Sequence, residues 1–139
     1  LQAHPDQLPG AVEELLRYAN PVQLVNRYAR EDVAYGEMTI PRGTQLQLVL
    51  AGANHDSQAF GQADVLDIDR DTGRHLAFSQ GIHYCLGAPL ARLEGEVALG
   101  VVLARLSDIR LAGDVADLRW RPTRELRGLQ ALPIRYTGN

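Results

Sequence analysis

The sequence predicts a mixed α+β fold with two principal helices, short antiparallel strands and a long irregular segment. Residues 8–20 and 88–108 carry apolar side chains at helical spacing. Residues 21–50 instead contain short stretches of strand type, separated by glycine and proline turns. The chain has 139 residues, of which 45% are hydrophobic, so it is long enough to enclose one hydrophobic core.

The first predicted element is a helix within residues 1–20. Its apolar stripe consists of Val12, Leu15, Leu16 and Ala19. Pro21 ends this helix, because the residue before a proline is disfavoured in the helical conformation. The chain begins with Leu1 inside a helical pattern, and we therefore expect it to be a piece of a longer protein.

Strands are predicted over residues 21–50 and an irregular segment over residues 51–77. Gly36 and the turn Pro41-Arg42-Gly43 separate the strands, and polar and apolar side chains alternate from Gln45 onwards. The sequence that follows shows little periodicity, which indicates a long ordered coil or a disordered loop. A loop of this length in a compact domain is usually functional or disordered.

The second helix is predicted over residues 88–108, with Pro89 in its first turn. Apolar side chains cover more than one of its faces, which predicts burial on most sides. Residues 109–139 are predicted to form terminal strands joined by a turn, as a hairpin that finishes a sheet.

The composition excludes several classes of protein. The formal net charge of −3, without blocks of like charge, argues against a nucleic-acid-binding or membrane-binding surface. A single cysteine, Cys85, excludes an intramolecular disulfide and a multi-cysteine zinc site. No apolar run approaches the ~20 residues that a membrane span needs. Because no signal-type start is present either, the sequence favours the cytoplasm.

Cys85 allows four interpretations. It could be a buried structural residue, which is usual for a lone cysteine. It could be a nucleophile with His83 as its base, although residues two apart in a loop rarely hold that geometry. It could ligate a metal, although the other histidines show no ligand spacing. It could also be the axial ligand of a haem iron, where one thiolate is enough.

The segment around Cys85 meets the demands of the haem interpretation. A thiolate is stabilised at a helix N-terminus, and a helix is predicted to begin near Ala88. Gly81 and Gly87 flank the sulfur and allow the backbone to turn tightly. Phe78 can shield the sulfur from water, and His83 can meet a haem propionate.

These residues carry a resemblance to a known family. The stretch FSQGIHYCLG, residues 78–87, is similar at every fixed position to the haem-binding loop of the cytochrome P450 superfamily, F-x-x-G-x-(H/R)-x-C-x-G. The resemblance implies that Cys85 ligates haem b and that Phe78, Gly81, His83 and Gly87 surround it. It also implies that residues 1–139 are a single C-terminal fragment of that fold, because no segment resembles the family's oxygen-activating helix.

The family also has an E-x-x-R helix upstream of the cysteine loop. Glu14 and Arg17 match this motif, and their spacing places both side chains on one helix face. Arg70 stands where the family has a second arginine, in the irregular segment called the meander. The resemblance implies a buried network of these three residues that holds the cysteine loop; without the loop, a surface ion pair of little value would be favoured.

Further residues correspond to family positions near the haem. Arg27 resembles the arginine that reaches a haem propionate, with Arg30 as a competitor in the sequence. Leu24 and Val25 resemble a segment that lines the substrate pocket, and Leu126 resembles the last substrate-recognition turn; simple core residues would look the same.

The resemblance implies monooxygenation, in which one atom of O₂ enters an organic substrate. The electrons would come from a redox partner such as a ferredoxin, docked near the cysteine loop against Arg92. The alternative is a non-catalytic, truncated haem-binding or scaffold module, and a cysteine hydrolase using Cys85 and His83 is a weaker third possibility. As a fragment, the chain is expected to expose the apolar helix of residues 90–106, and therefore to self-associate or to bind the missing N-terminal part.

Overall fold

The computed structural model describes residues 1–138. Helix α1 spans Leu8–Tyr18 and follows a short 3₁₀ turn at Pro5–Gln7, so it is shorter than the predicted range of residues 1–20. Both long helices carry a proline at their start, where its missing N–H is not needed. Helix α2, Leu50–Asn54, is a short element that the sequence analysis had divided between strands and loop.

The predicted strands form two small antiparallel ladders. Strand β1, Leu24–Tyr28, pairs with β4, Gln45–Val49, so that Asn26 lies opposite Gln47. Strands β2, Val33–Tyr35, and β3, Met38–Ile40, form a hairpin between them. Gly36 turns this hairpin with a φ of +58°, a conformation that glycine adopts without strain.

Helix α3 spans Ala88–Arg105, and the chain changes from helix to strand at Leu106, whose φ and ψ are −120° and 130°. The residues after it therefore belong to β5, Leu106–Leu111, rather than to the predicted helix of residues 88–108. Strand β5 pairs with β6, Ile134–Gly138, which supplies the hydrogen bonds that further helical turns would have given.

The terminal sheet differs from the predicted hairpin. Its two strands, β5 and β6, are joined by residues 112–133 and not by a tight turn. The connection contains a 3₁₀ turn at Val115–Asp117 and an isolated bridge between Trp120 and Leu129.

The two long helices pack closely through glycines of α3. A Cβ atom on Gly95 would come within 3.1 Å of Val12 Cγ1, and one on Gly100 within 3.3 Å of Leu8 Cδ2. Ala11 and Val12 of α1 are buried in this contact region. Small residues on α3 therefore allow α1 to approach it.

The opposite surface of α3 is exposed, so the burial on most sides that its apolar pattern predicted is wrong for this chain, and the exposure expected of residues 90–106 in a fragment is confirmed. Ala88 is the one α3 residue that is buried among residues 1–138. The exposed apolar side chains follow helical spacing and belong to Leu90, Leu93, Val97 and Val101. The physical reason is that α1 covers one face, while no described element covers the other.

Residues 55–80 contain no helix or strand, as the sequence indicated, but they are ordered by turns and side-chain contacts with α1. In the part of the chain that the structure describes, no helix has both the length and the apolar character required to cross a bilayer.

Candidate functional site

The cysteine loop, residues 78–87, is closed by its own backbone. Gly81 has a φ of +74° and starts a 3₁₀ turn, Gly81–His83. The N–H of Tyr84 donates to the carbonyl of Gly81 at 3.0 Å, and the N–H of Cys85 donates to the carbonyl of Phe78 at 3.0 Å. The glycine is needed here because a positive φ is costly for other residues.

The sulfur of Cys85 lies next to the N-terminus of α3. Gly87 is the residue before the helix, and a Cβ atom on it would lie 3.7 Å from Sγ of Cys85. The carbonyl of Cys85 accepts a hydrogen bond from the N–H of Ala88 at 3.2 Å. The partial positive charge of the helix N-terminus is therefore available to stabilise a thiolate.

The surroundings of Cys85 distinguish between its four interpretations. Cys85 is free and exposed, which contradicts the interpretation as a buried structural residue. Among residues 1–138, no group of three or more His, Cys, Asp or Glu side chains could hold a metal ion. The structure also records no hydrogen bond between Cys85 and His83, which lies in the 3₁₀ turn.

The same surroundings fit haem. Ile82 and Leu86, on either side of the thiol, are 97% and 99% exposed. Exposed apolar side chains that lie together mark binding surfaces, and a flat apolar macrocycle would cover these two. Haem brings four iron ligands of its own, so a single exposed thiol suffices as the protein's donor.

The three residues of the E-x-x-R network lie together. Nε and Nη2 of Arg17 donate to the two carboxylate oxygens of Glu14 at 2.7 and 2.8 Å, and Nε of Arg70 donates to Glu14 Oε1 at 3.3 Å. Glu14 and Arg17 are completely buried. Breaking an ion pair that is buried to this extent strongly destabilises the fold, whereas breaking a surface pair does not.

The two arginines also hold the irregular segment. Nη1 of Arg17 donates to the carbonyls of Asn54 and Ala63 at 2.6 and 2.9 Å. Nη1 of Arg70 donates to the carbonyl of Gly61 at 2.5 Å. The network thus replaces the regular backbone hydrogen bonds that this segment lacks.

The charges in the network shift the titration of both ionisable partners. Burial raises the pKa of Glu14, but the hydrogen bonds from Arg17, the Asp67 N–H and Arg70 outweigh it and hold that pKa below its ordinary value. The hydrogen bond to Glu14 raises the pKa of Arg17 despite the opposing effect of burial. The pair is ionised at neutral pH.

A second cluster, which the sequence analysis missed, lies beside the first. Glu13 accepts hydrogen bonds from Arg92, with Nε at 2.5 Å and Nη2 at 3.0 Å, and contacts Nε2 of His75 at 3.0 Å. Arg92 also donates through Nη1 to the hydroxyl of Tyr84 at 3.1 Å. Arg92, expected as a docking charge for a redox partner, is therefore already paired with other residues of the chain.

The two segments expected to line a substrate pocket are in contact. The N–H of Gln23 donates to the carbonyl of Glu125 at 2.7 Å, and Val22 forms a bridge with Leu126. Leu24 and Val25 are half-buried on β1, and Leu126 is exposed. Their role in binding a substrate stays a prediction.

Arg27 also lies on β1, half-buried, and its Nη1 donates to the carbonyl of Asn26 at 2.8 Å. Arg30 is exposed at the end of this segment. The predicted binding of a haem propionate by Arg27 stays a prediction, and so does the same role for His83.

Asn54 is another residue that the sequence analysis missed. It is completely buried at the end of α2, its carbonyl accepts from Arg17, and its Oδ1 accepts from the N–H of Leu76 at 2.6 Å. It therefore links the E-x-x-R network to the segment that enters the cysteine loop. No local pattern marks it, because its partners are distant in sequence.

Comparisons with known proteins identify the family that this chain resembles. The family model described as Cytochrome P450 matches residues 7–109. Cytochrome P450 107B1 from Saccharopolyspora erythraea is 46% identical over 97% of this chain and 34% of its own length. From the same organism, 6-deoxyerythronolide B hydroxylase is 42% identical over 99% of this chain and 37% of its own length.

A solved structure, the tirandamycin C-bound P450 monooxygenase TamI, superimposes with a TM-score of 0.94 at 48% identity, over 99% of this chain and 35% of that chain. The chain therefore spans about a third of the length of the relatives it matches.

Proposed function

Because this chain belongs to the cytochrome P450 family, we propose that it is the haem-binding, C-terminal part of a bacterial monooxygenase that inserts one oxygen atom from O₂ into an organic substrate. The observation that carries this proposal is the exposed Cys85 thiol, set between unpartnered apolar side chains at the N-terminus of α3. Members of the family bind haem b through a cysteine thiolate.

Each residue of the cysteine loop has a proposed task. Cys85 would hold the haem iron through its thiolate, and the hydrogen bond from its N–H to Phe78 fixes the backbone next to the sulfur. Gly81 permits the turn, and Gly87 leaves space beside Sγ. His83 and Arg27 are proposed to bind the propionates, since both carry N–H donors that suit a carboxylate.

The proposed chemistry divides between the cofactor and the protein. Bound haem iron supplies oxygen activation, which a thiolate ligand favours by donating electron density. The chain supplies the ligand, its orientation and one wall of the site. The substrate is a small organic molecule, with Leu24, Val25 and Leu126 proposed to line part of its pocket.

An electron-donating protein such as a ferredoxin is proposed to dock beside the cysteine loop. Arg92 is occupied by Glu13 and Tyr84, so the docking charge must come from elsewhere. Arg74 is exposed in the segment that leads into the loop and offers such a charge. We expect this exchange of electrons to take place in the cytoplasm, without a membrane or a nucleic acid as partner.

The exposed face of α3 is proposed to contact further polypeptide. Leu93 and Val97 on this face are 57% and 56% exposed, and with Leu90 and Val101 they form a continuous apolar stripe. Such a stripe favours association. Because the chain spans about a third of its relatives' length, the remainder of a full-length domain is the proposed partner, and self-association is the alternative.

The short length relative to the family also supports a second candidate, a haem-binding or scaffold module without turnover. Residues 1–139 contain no segment similar to the oxygen-activating helix, so we expect these residues alone to be inactive. Their domain assignment, as a single C-terminal fragment, is part of the same proposal.

The test is the absorption spectrum of the purified chain with haemin, after reduction and addition of carbon monoxide. A strongly red-shifted Soret band that disappears in Cys85→Ser supports thiolate ligation by Cys85. Turnover of O₂ with an electron donor, measured when these residues are joined to the remainder of a full-length domain, then separates the monooxygenase from the module. A wild-type spectrum identical to that of Cys85→Ser contradicts haem ligation by these residues alone and favours the scaffold alternative.

A further inference from the structure

The cysteine loop has a second anchor besides the E-x-x-R network. This anchor, the Glu13 cluster, consists of Glu13 on α1, His75 before the loop, Tyr84 inside the loop and Arg92 on α3. None of these residues belongs to the pattern by which the loop is identified. His75, Tyr84 and Arg92 lie in the loop or within five residues of it, and Glu13 reaches them from α1.

Glu13 holds both ends of the loop with one carboxylate. Arg92, on the helix that follows the loop, makes a two-pronged contact with Oε1 and Oε2 at 2.5 and 3.0 Å. His75, on the segment that precedes the loop, contacts Oε2 at 3.0 Å. Charge-assisted contacts of this kind are stronger than neutral hydrogen bonds and fix geometry.

The orientation of His75 is set by its second nitrogen. Nδ1 accepts the N–H of Ala77 at 3.1 Å, so Nε2 carries the proton that is donated to Glu13. The side chain of His75 is only 4% exposed. Its ring is therefore fixed between the backbone and the carboxylate, and it cannot turn away without losing both bonds.

Arg92 transmits this anchor to the residues next to the sulfur. Its Nη1 donates to the hydroxyl of Tyr84, the residue before Cys85. Its guanidinium lies over the ring of Phe78, 4.7 Å from the centroid, and Phe78 is the residue whose carbonyl accepts the N–H of Cys85. One side chain thus holds both the residue that precedes the thiol and the residue that accepts its backbone N–H.

The charges of the cluster match this arrangement. Burial raises the pKa of Glu13, but hydrogen bonds from Arg92 and His75 outweigh it, so the net pKa lies below its ordinary value. The hydrogen bond from Arg92 to Glu13 raises the pKa of that guanidinium. The carboxylate of Glu13 and the guanidinium of Arg92 are therefore both ionised at neutral pH.

We propose that Glu13 is a positioning residue which, through Arg92 and His75, sets the orientation in which the loop presents the Cys85 sulfur to the haem iron. This inference deepens the proposed function and rests on it for the identity of the iron ligand. The geometric part, that Glu13 orders the backbone of Cys85, stands without a cofactor.

The experiment uses the whole polypeptide that carries these residues and begins without haem. Hydrogen–deuterium exchange is measured by mass spectrometry on the peptide that contains Cys85, in Glu13→Gln and Arg92→Gln. We expect exchange of that peptide to be about tenfold faster or more, as expected when a charge-assisted bond is lost, with β1 and β4 unchanged. Asp108→Asn is the matched control, because it removes an exposed contact with Arg110 at 3.4 Å and leaves the loop alone.

Haemin, reduction and carbon monoxide then provide the second readout, the fraction of bound haem with the thiolate-type Soret band. If Glu13 positions the loop, the fraction of bound haem with the thiolate-type band falls in Glu13→Gln. It recovers partly in Glu13→Asp, which restores the charge. If Glu13 contributes only to stability, the amount of folded protein falls, but the fraction of thiolate-type haem and the exchange of the Cys85 peptide stay at the values of the control. That result overturns the proposal.

Milder variants keep the test decisive if Glu13→Gln does not fold. Tyr84→Phe removes only the hydroxyl that Arg92 binds, and it must speed exchange at Cys85 without changing α1. Exchange equal to the wild type in Tyr84→Phe and in Arg92→Lys overturns the proposal. If the wild type shows no thiolate band, the haem proposal fails, while the exchange data still decide whether Glu13 orders the loop.

Discussion

Replacing Glu14 with glutamine tests whether the buried network supports the fold. The carboxylate accepts from Arg17 at 2.7 and 2.8 Å, from the N–H of Asp67 at 2.9 Å and from Arg70 at 3.3 Å. The amide of glutamine offers one oxygen, and its NH₂ group meets donors. Arg17, with no exposed surface, then keeps its charge without the carboxylate that it pairs with.

The expected cost follows from this burial. Removing one partner of a buried ion pair destabilises a protein by about 3–5 kcal/mol. A domain of ordinary stability has about 5–15 kcal/mol in total, so Glu14→Gln is expected to remove a large share of the free energy of unfolding. With a denaturant slope of about 2 kcal/mol/M, the urea midpoint falls by about 2 M.

Urea unfolding followed by far-ultraviolet circular dichroism measures this change. Asp108→Asn is the control, because its contact with Arg110 is exposed and is expected to contribute no more than about 1 kcal/mol. If Glu14→Gln loses no more stability than the control, the network does not hold the fold, and the reasoning from burial is refuted.

Three further changes have expected outcomes. The pKa of Glu13 is lowered in the folded state, so the stability that its carboxylate contributes is complete above about pH 4.3 and is lost as the pH falls through the folded-state pKa. Between about pH 6 and about pH 3, the urea midpoint should therefore fall less in Glu13→Gln than in the wild type. An equal fall of the midpoint in both proteins would contradict this. In Gly81→Ala the added Cβ meets no atom within 4 Å, so only the φ of +74° opposes the substitution. Urea unfolding should therefore show a free energy of unfolding that is lower by about 1–2 kcal/mol. No loss would mean that the turn relaxes to another conformation. The double variant Leu93→Gln, Val97→Gln should lower the mass of self-associated species in sedimentation. It should not lower the free energy of unfolding, because both side chains are exposed. An unchanged mass would argue against self-association through this face of α3.

The features that the sequence alone predicted depend on spacing over a few residues. The cysteine loop is recognisable because Phe78, Gly81, Cys85 and Gly87 must stand at fixed separations for the loop to close. The spacing of Glu14 and Arg17 predicts that they share a helix face, and the resemblance of the cysteine loop to its family indicated that the pair is buried. Alternation and turn residues placed β1 to β4 for the same reason, since local geometry repeats along the chain.

Boundaries were less determined by the sequence. The apolar pattern of α3 continues beyond Arg105, but the chain becomes β5 there because a strand far along the sequence, β6, pairs with it. The short helix α2 has too few residues for a periodic signal. Burial of α3 was predicted from its apolar content, whereas exposure is decided by which elements are present to cover it.

The tertiary structure alone decided how the loop is anchored. Glu13 and Arg92 are separated by 79 residues, and Glu13 and His75 by 62. Asn54 reaches the segment before the loop across 22 residues. No periodicity links such positions, because their contact depends on the path of an irregular segment through space. The sequence therefore predicted Cys85 as the candidate ligand and determined the turn around it, and the packing of α1 against α3 determined what holds that turn in place.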